Sequence, residues 1–268
     1  MNLVKKLAIV SLAMMLSGCL ASMGSGLESW NRIFGIETAE EKSPPPTRID
    51  EVPMYGGMDR SKHPQVKKAD DDLIANLTKE FGSRAQAADA AISTGFSYFK
   101  QGKLGMAMRR FNQAWLLDPE KADVYHGFAS VLHSQRKYCE ANDMMEKAFS
   151  KNPSIAMPSE SYFALQGFYP DAARISTLCA THNKDLSLEE KKQLFARSLS
   201  LLEKGDELLP DTAKFRKAYL YSSWASVYYW QGEYEKAWVM VKKEKDAGGS
   251  PSREFLDRLN QKMPEPAQ

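Results

Sequence analysis

The sequence predicts an all-α fold of stacked helix hairpins, an α/α solenoid, and three observations carry that expectation. Ala107, Phe111, Ala114 and Pro119 recur 34 positions later as Ala141, Met145, Ala148 and Pro153. A repeat of this period means stacked helix pairs, because one pair alone cannot bury its own apolar face. Outside the repeat, apolar residues still recur at helical spacing, as in Leu73, Leu77 and Phe81 or Phe195, Leu199 and Leu202. No stretch shows the alternation expected of a half-buried strand.

Residues 1–18 read as a secretory signal. Lys5 and Lys6 precede an apolar run from Leu7 to Leu16 that is too short to span a membrane as a helix. The run ends in Leu16-Ser17-Gly18-Cys19, which resembles the bacterial lipoprotein box. The resemblance implies cleavage before Cys19 and acylation of its thiol and amine. With Leu20 next rather than Asp, it also implies delivery to an outer membrane, facing the periplasm. One acyl chain anchors marginally and two or more hold stably. The whole chain carries 36 Lys and Arg against 34 Asp and Glu. Loss of Lys5 and Lys6 leaves 34 of each, so net charge supplies no basic field to recruit nucleic acid or anionic lipid.

Residues 19–69 have the composition of a tether behind the acylated cysteine. Gly24-Ser25-Gly26, Pro44-Pro45-Pro46, Pro53, Gly56-Gly57 and Pro64 interrupt any periodicity. A small apolar cluster, Trp30, Ile33, Phe34 and Ile36, is expected to dock on the folded body, with a partner or the membrane interface as the alternatives.

The body is expected from Asp70 onward, where Asp70-Asp71-Asp72 suit the positive end of a helix and Gly82 suits its close. Residues 70–155 then hold this helix and two repeat units. In the first, 88–121, Gly95, Tyr98, Gly102, Ala107, Phe111, Ala114 and Pro119 occupy the small, aromatic, turn and stop positions of a helix hairpin. In the second, 122–155, Tyr125, Ala129, Tyr138, Ala141, Ala148 and Pro153 do the same, with Arg136 where the turn glycine belongs. Both units resemble the tetratricopeptide repeat. Small residues let two helices approach, large ones fill the gap, and proline ends the second helix.

Residues 156–217 read as an irregular helical pair. Pro170 is expected to open a helix carrying Ala173 and Leu178, and Ser187 to Glu190 reads as a capping box. Residues 218–263 read as an eroded third unit with a capping helix, Ser252 to Met263. Tyr221, Trp224, Ala225, Tyr228, Gly232, Tyr234 and Ala237 fit, while Glu244 and Gly249 stand where alanine and proline are expected.

The tetratricopeptide resemblance implies that the first helix of each hairpin lines a concave groove. Projected onto this chain, that face carries Phe96, Phe99 and Lys100, then Asp123, His126, Ser130 and His133, then Ser222, Ser226, Tyr229 and Trp230. Aromatic anchors flanking polar groups suit an extended peptide or a helix. Several of the same aromatics also suit packing against the next hairpin. Asp123, His126 and His133 share a face, but the two histidines lie about 10.5 Å apart along the axis. That is far for one zinc ion bound at about 2 Å, so no metal and no other cofactor is expected. After Cys19, only Cys139 and Cys179 remain, either as a disulfide in an oxidising compartment or as two buried thiols.

No GxSxG elbow, HExxH, phosphate loop or dinucleotide fingerprint occurs, so no enzyme is expected. The expected function is a lipid-anchored adaptor holding another envelope protein or peptide in its groove, in support of an envelope complex. A periplasmic binding protein for peptide or glycan fragments, including peptidoglycan, is the alternative. The groove aromatics are also compatible with a homodimer.

Overall fold

The computed structural model describes residues 48–151 and 164–267, all within one of the chain's two units, Pro44–Gln268. The expectations for residues 1–47, Cys19 and the Trp30 to Ile36 cluster among them, lie outside the described residues, as does Pro153 at the end of the second unit. Ten α-helices form among the described residues and no strand: α1 Pro64–Phe81, α2 Arg84–Lys100, α3 Leu104–Leu117, α4 Ala122–Ser134 and α5 Tyr138–Ser150. There follow α6 Ala164–His182, α7 Leu188–Leu208, α8 Lys214–Gln231, α9 Tyr234–Asp246 and α10 Arg253–Lys262. Neighbouring helices pack as pairs, α2 with α3, α4 with α5, α6 with α7 and α8 with α9, an arrangement consistent with an α-helical repeat fold.

Three of these pairs turn in the same way. Gly102, Arg136 and Gly232 all take the left-handed conformation, with φ of 72°, 60° and 79°. The amides of Lys103, Lys137 and Glu233 donate to the carbonyls of Tyr98, Leu132 and Tyr228 at 2.9 to 3.0 Å. Those of Gly102, Arg136 and Gly232 donate to Phe99, His133 and Tyr229. This is the Schellman closure, which satisfies the last carbonyls of the first helix while reversing the chain. Close packing explains the small residues. A Cβ on Gly95 of α2 would lie 2.6 Å from the Phe111 ring, and one on Gly127 of α4 would lie 2.4 Å from it. Phe111, from α3, is a fully buried wedge that only glycine on both flanks accommodates.

The apolar core forms two clusters that meet on α6, where Ala172 and Ile175 join the first and Ala173 the second. Cys139 of α5 and Cys179 of α6 form a disulfide, with Cα atoms 4.8 Å apart, linking the second pair to the third. At the far end, α10 is capped by Ser252, whose hydroxyl accepts from the Phe255 amide, and Trp238 Nε1 donates to the Met263 carbonyl at 3.0 Å.

Three expectations need correction. The body begins before Asp70: Pro64, with φ pre-set for a first helical position, opens α1. Asp70 instead takes a two-pronged bond from Arg60, and Asp71 and Asp72 pair with Lys67 and Lys68 one turn back. The tether does not extend to residue 69. Residues 48–63 form three 3-10 turns strapped over α3, because buried Asn112 donates to the carbonyls of Asp50 and Val52 at 2.9 and 2.8 Å. Arg109 pairs with Glu51, and Tyr55 is buried beneath the Arg60 guanidinium, 3.8 Å from its ring centroid. Finally, Pro170 lies inside α6 rather than at its start. The turn ahead of it is held by Phe168 and Tyr169, both buried, with the Phe168 ring 4.7 Å from that of Phe149. That packing sustains a helix through a residue lacking its own N–H donor.

Candidate functional site

The first helices α4, α6 and α8 meet at a cluster of polar side chains. Asp171 stands at its centre, one residue after Pro170. One carboxylate oxygen lies 3.0 Å from His126 Nε2, and the other accepts from Tyr219 at 2.5 Å and Arg174 at 2.9 Å. Burial alone would raise the Asp171 carboxyl, but the bond from His126 and the Arg174 charge overcome it and hold it at about 2. An ionised carboxylate only accepts, so the proton it shares with His126 resides on Nε2. Burial, with the neighbouring carboxylate adding to it, pushes the Tyr219 phenol upward, so it stays a neutral donor.

His126 is buried, its ring lying 5.6 Å from Phe96 and 5.4 Å from Phe168. His133, two turns on, is buried too, and burial together with the Arg174 charge holds its imidazole down at about 3. It is therefore neutral. His126 Nδ1 and His133 Nε2 are enclosed with no hydrogen-bond partner. Among the described residues no three His, Cys, Asp or Glu side chains are grouped to hold a metal. Asp123 is half-buried, and burial raises its carboxyl against the pull of His126 and Lys121.

The groove residues expected from the sequence thus divide. Phe96, His126 and His133 lie in the interior, not on a surface, because each faces an aromatic or the next first helix: Phe96 packs 5.0 Å from Phe111 and His133 5.7 Å from Tyr138. Lys100 is exposed, and Phe99 and Ser130 are half-buried, the Ser130 hydroxyl donating to the His126 carbonyl within its own helix. Ser222 is half-buried and Ser226 is buried.

Tyr229 and Trp230 are half-buried and belong to an aromatic row along the turn ends of the hairpins. In sequence, the rings His133, Tyr138, His182, Trp230 and Tyr229 follow one another with centroids 4.8 to 5.8 Å apart. The row crosses from the second pair to the fourth, and the Cys139–Cys179 bond lies beside it in sequence. Asp171, Arg174 and Tyr219 were not foreseen as site residues. A charged pair three apart inside the otherwise uncharged run from Phe168 to Leu178 was the available signal.

Asp171, Arg174 and Tyr219 are largely enclosed where α4, α6 and α8 meet, with 19% and 11% of the first two side chains exposed, and acceptor, cation and phenol satisfy one another there. Comparison with protein-family models and with curated proteins finds no match for this chain.

Proposed function

We propose that this chain is a non-catalytic, lipid-anchored scaffold of the tetratricopeptide type, acting in the cell envelope by holding a partner protein or peptide on the face formed by its first helices. The observation that carries this reading is the same left-handed Schellman turn at Gly102, Arg136 and Gly232, set by the repeat register. The Cys139–Cys179 bond supports an oxidising compartment, where such bonds persist. Exposed Lys100 and half-buried Asp123, both on first helices, support a partner segment that is itself polar and charged. The buried state of His126 and His133 moves the expected contacts outward, to Phe99, Lys100, Ser130 and Trp230.

The test is photo-crosslinking in living cells with the probe at Lys100, Ser130 and Trp230. One envelope protein trapped at all three positions, and lost when Arg174→Glu is introduced, supports the scaffold. Adducts only to a second copy of the chain would favour self-association. The aromatic row supports one rival, a binder of peptide or glycan fragments. Saturable binding of such fragments by the purified chain, abolished by Trp230→Ala, would establish it instead.

A further inference from the structure

A nearly balanced total charge of +2 hides an uneven distribution. Residues 214–246, the α8–α9 pair, carry seven Lys and Arg against four Asp and Glu, and one of the four, Glu244, is buried. The start of α8 and the end of α9 come together at one end of this hairpin. Lys243 Nζ lies 5.3 Å from the Tyr221 ring centroid, and a Cβ on Gly249 would lie 2.9 Å from that of Ala218. The same end therefore gathers Lys214, Phe215 and Arg216 from α8 with the last turn of α9, where Lys243 and Lys245 stand with Asp246.

Phe215 is 84% exposed, the barest large apolar side chain among the described residues. Lys217 nearby is neutralised by Asp211 at 2.8 Å and Asp206 at 3.4 Å. Lys214 and Arg216 have no carboxylate partner among the described residues. Lys214 and Arg216 also sit in the first turn of α8, at the positive end of the helix dipole, where cations are unfavourable. Lys214 and Arg216 thus flank a bare ring without an ion-pair partner among the described residues. An external anionic layer accounts for both. The ring enters the boundary between headgroups and acyl chains while the long basic side chains reach the phosphates.

We propose that this end of the last hairpin docks on an anionic phospholipid surface, with Phe215 entering the interface and Lys214 and Arg216 meeting phosphate groups. The contact lies at the start of α8, at the opposite end of that helix from Tyr229 and Trp230, and does not depend on a protein partner there. It is a local feature that the nearly balanced total conceals.

The test uses the full chain carrying Cys19→Ser, so that no acyl group contributes, in flotation with phosphatidylcholine vesicles and with vesicles of phosphatidylcholine mixed with phosphatidylglycerol. The parent is expected to favour the mixed vesicles and to lose that preference at high salt. Lys214→Ala with Arg216→Ala should weaken binding to mixed vesicles about tenfold or more. Phe215→Ser should weaken it comparably, and F215W should be quenched by brominated lipid. Residual binding to pure phosphatidylcholine by the apolar run 7–16 should be equal in all variants. All of these positions lie on the surface, and unchanged helical circular dichroism confirms folding. The proposal is overturned if the variants float with mixed vesicles as the parent does. It is equally overturned if the parent does not distinguish the two vesicle types, or if it binds duplex DNA as tightly as the mixed vesicles.

Discussion

Glu244→Gln should make the protein more stable in mild alkali and change it little in mild acid. Glu244 is 5% exposed and stands in the last turn of α9, at a position where the repeat wants alanine. Burial pushes its carboxyl up to about 7 from the usual 4.5, against the opposing effects of a hydrogen bond with Ser222 and the Lys245 charge. The fold thus accommodates the protonated acid. Stability is full below about pH 4.5 and is lost as pH rises through about 7. At 1.36 kcal/mol per pKa unit, the ionised side chain costs about 3 kcal/mol by pH 8 and under about 1 kcal/mol at pH 5. Glutamine keeps the shape and removes the charge. Urea unfolding of both proteins at pH 5 and pH 8 gives the difference directly, since every other titrating group is common to both. The advantage of the variant should grow by about 2 kcal/mol between the two conditions. A difference that does not change with pH would refute the reasoning, because the carboxyl would then be as well solvated in the folded state as in the unfolded one.

Four further perturbations have defined outcomes. Asp171→Asn should cost about 3 kcal/mol or more in urea unfolding at pH 7, because Arg174 loses a buried counter-charge and His126 and Tyr219 lose a charged acceptor. The Asp171 carboxyl is held low, so the stability it contributes is present above about pH 4 and lost as pH falls through about 2; the gap between variant and parent should close over that window. Gly127→Ala forces its methyl against the Phe111 ring and should cost about 1–3 kcal/mol, part of it recovered in the double variant with Phe111→Leu. Arg136→Gly relieves a left-handed residue at the second hairpin turn and should raise stability by up to about 1 kcal/mol, seen as a higher Tm, while Gly102→Ala should lower it by a similar amount. Cys139→Ser should cost about 3–4 kcal/mol for a bridge spanning 40 residues, and a reducing agent should reproduce that loss in the parent protein alone.

Much of the fold was legible because repeats encode it redundantly. Gly102 and Gly232 marked their turns by composition, and Arg136 was located by register despite having the wrong chemistry for a left-handed turn. The Ser187 to Glu190 capping box formed as read, since both its bonds are local. The errors arose where distant contacts outweigh local preference. Pro170 suggests a boundary to anyone reading its neighbours, but buried Phe168 and Tyr169 extend the helix past it. Residues 48–63 look like a spacer until Asn112, some sixty positions later, takes up their carbonyls. The site was read least well for a related reason. Helical spacing identifies which residues share a face, but not whether the next helix covers that face. His126 and His133 fell on the right helix and were enclosed by its neighbours. Asp171, which organises the cluster, lay in the stretch where the repeat register had lapsed.

The sharing of α6 between the two apolar clusters bears on how the molecule comes apart. In a linear array each unit touches only its neighbours, so an end can fray without disturbing the middle. Here Ala172 and Ile175 face one cluster while Ala173, between them, faces the other. The disulfide then ties the same helix back to α5. Thermal unfolding should therefore run as a single transition rather than as a zipper opened from one end. Strain imposed at Asp171 would be felt on both sides of the helix at once.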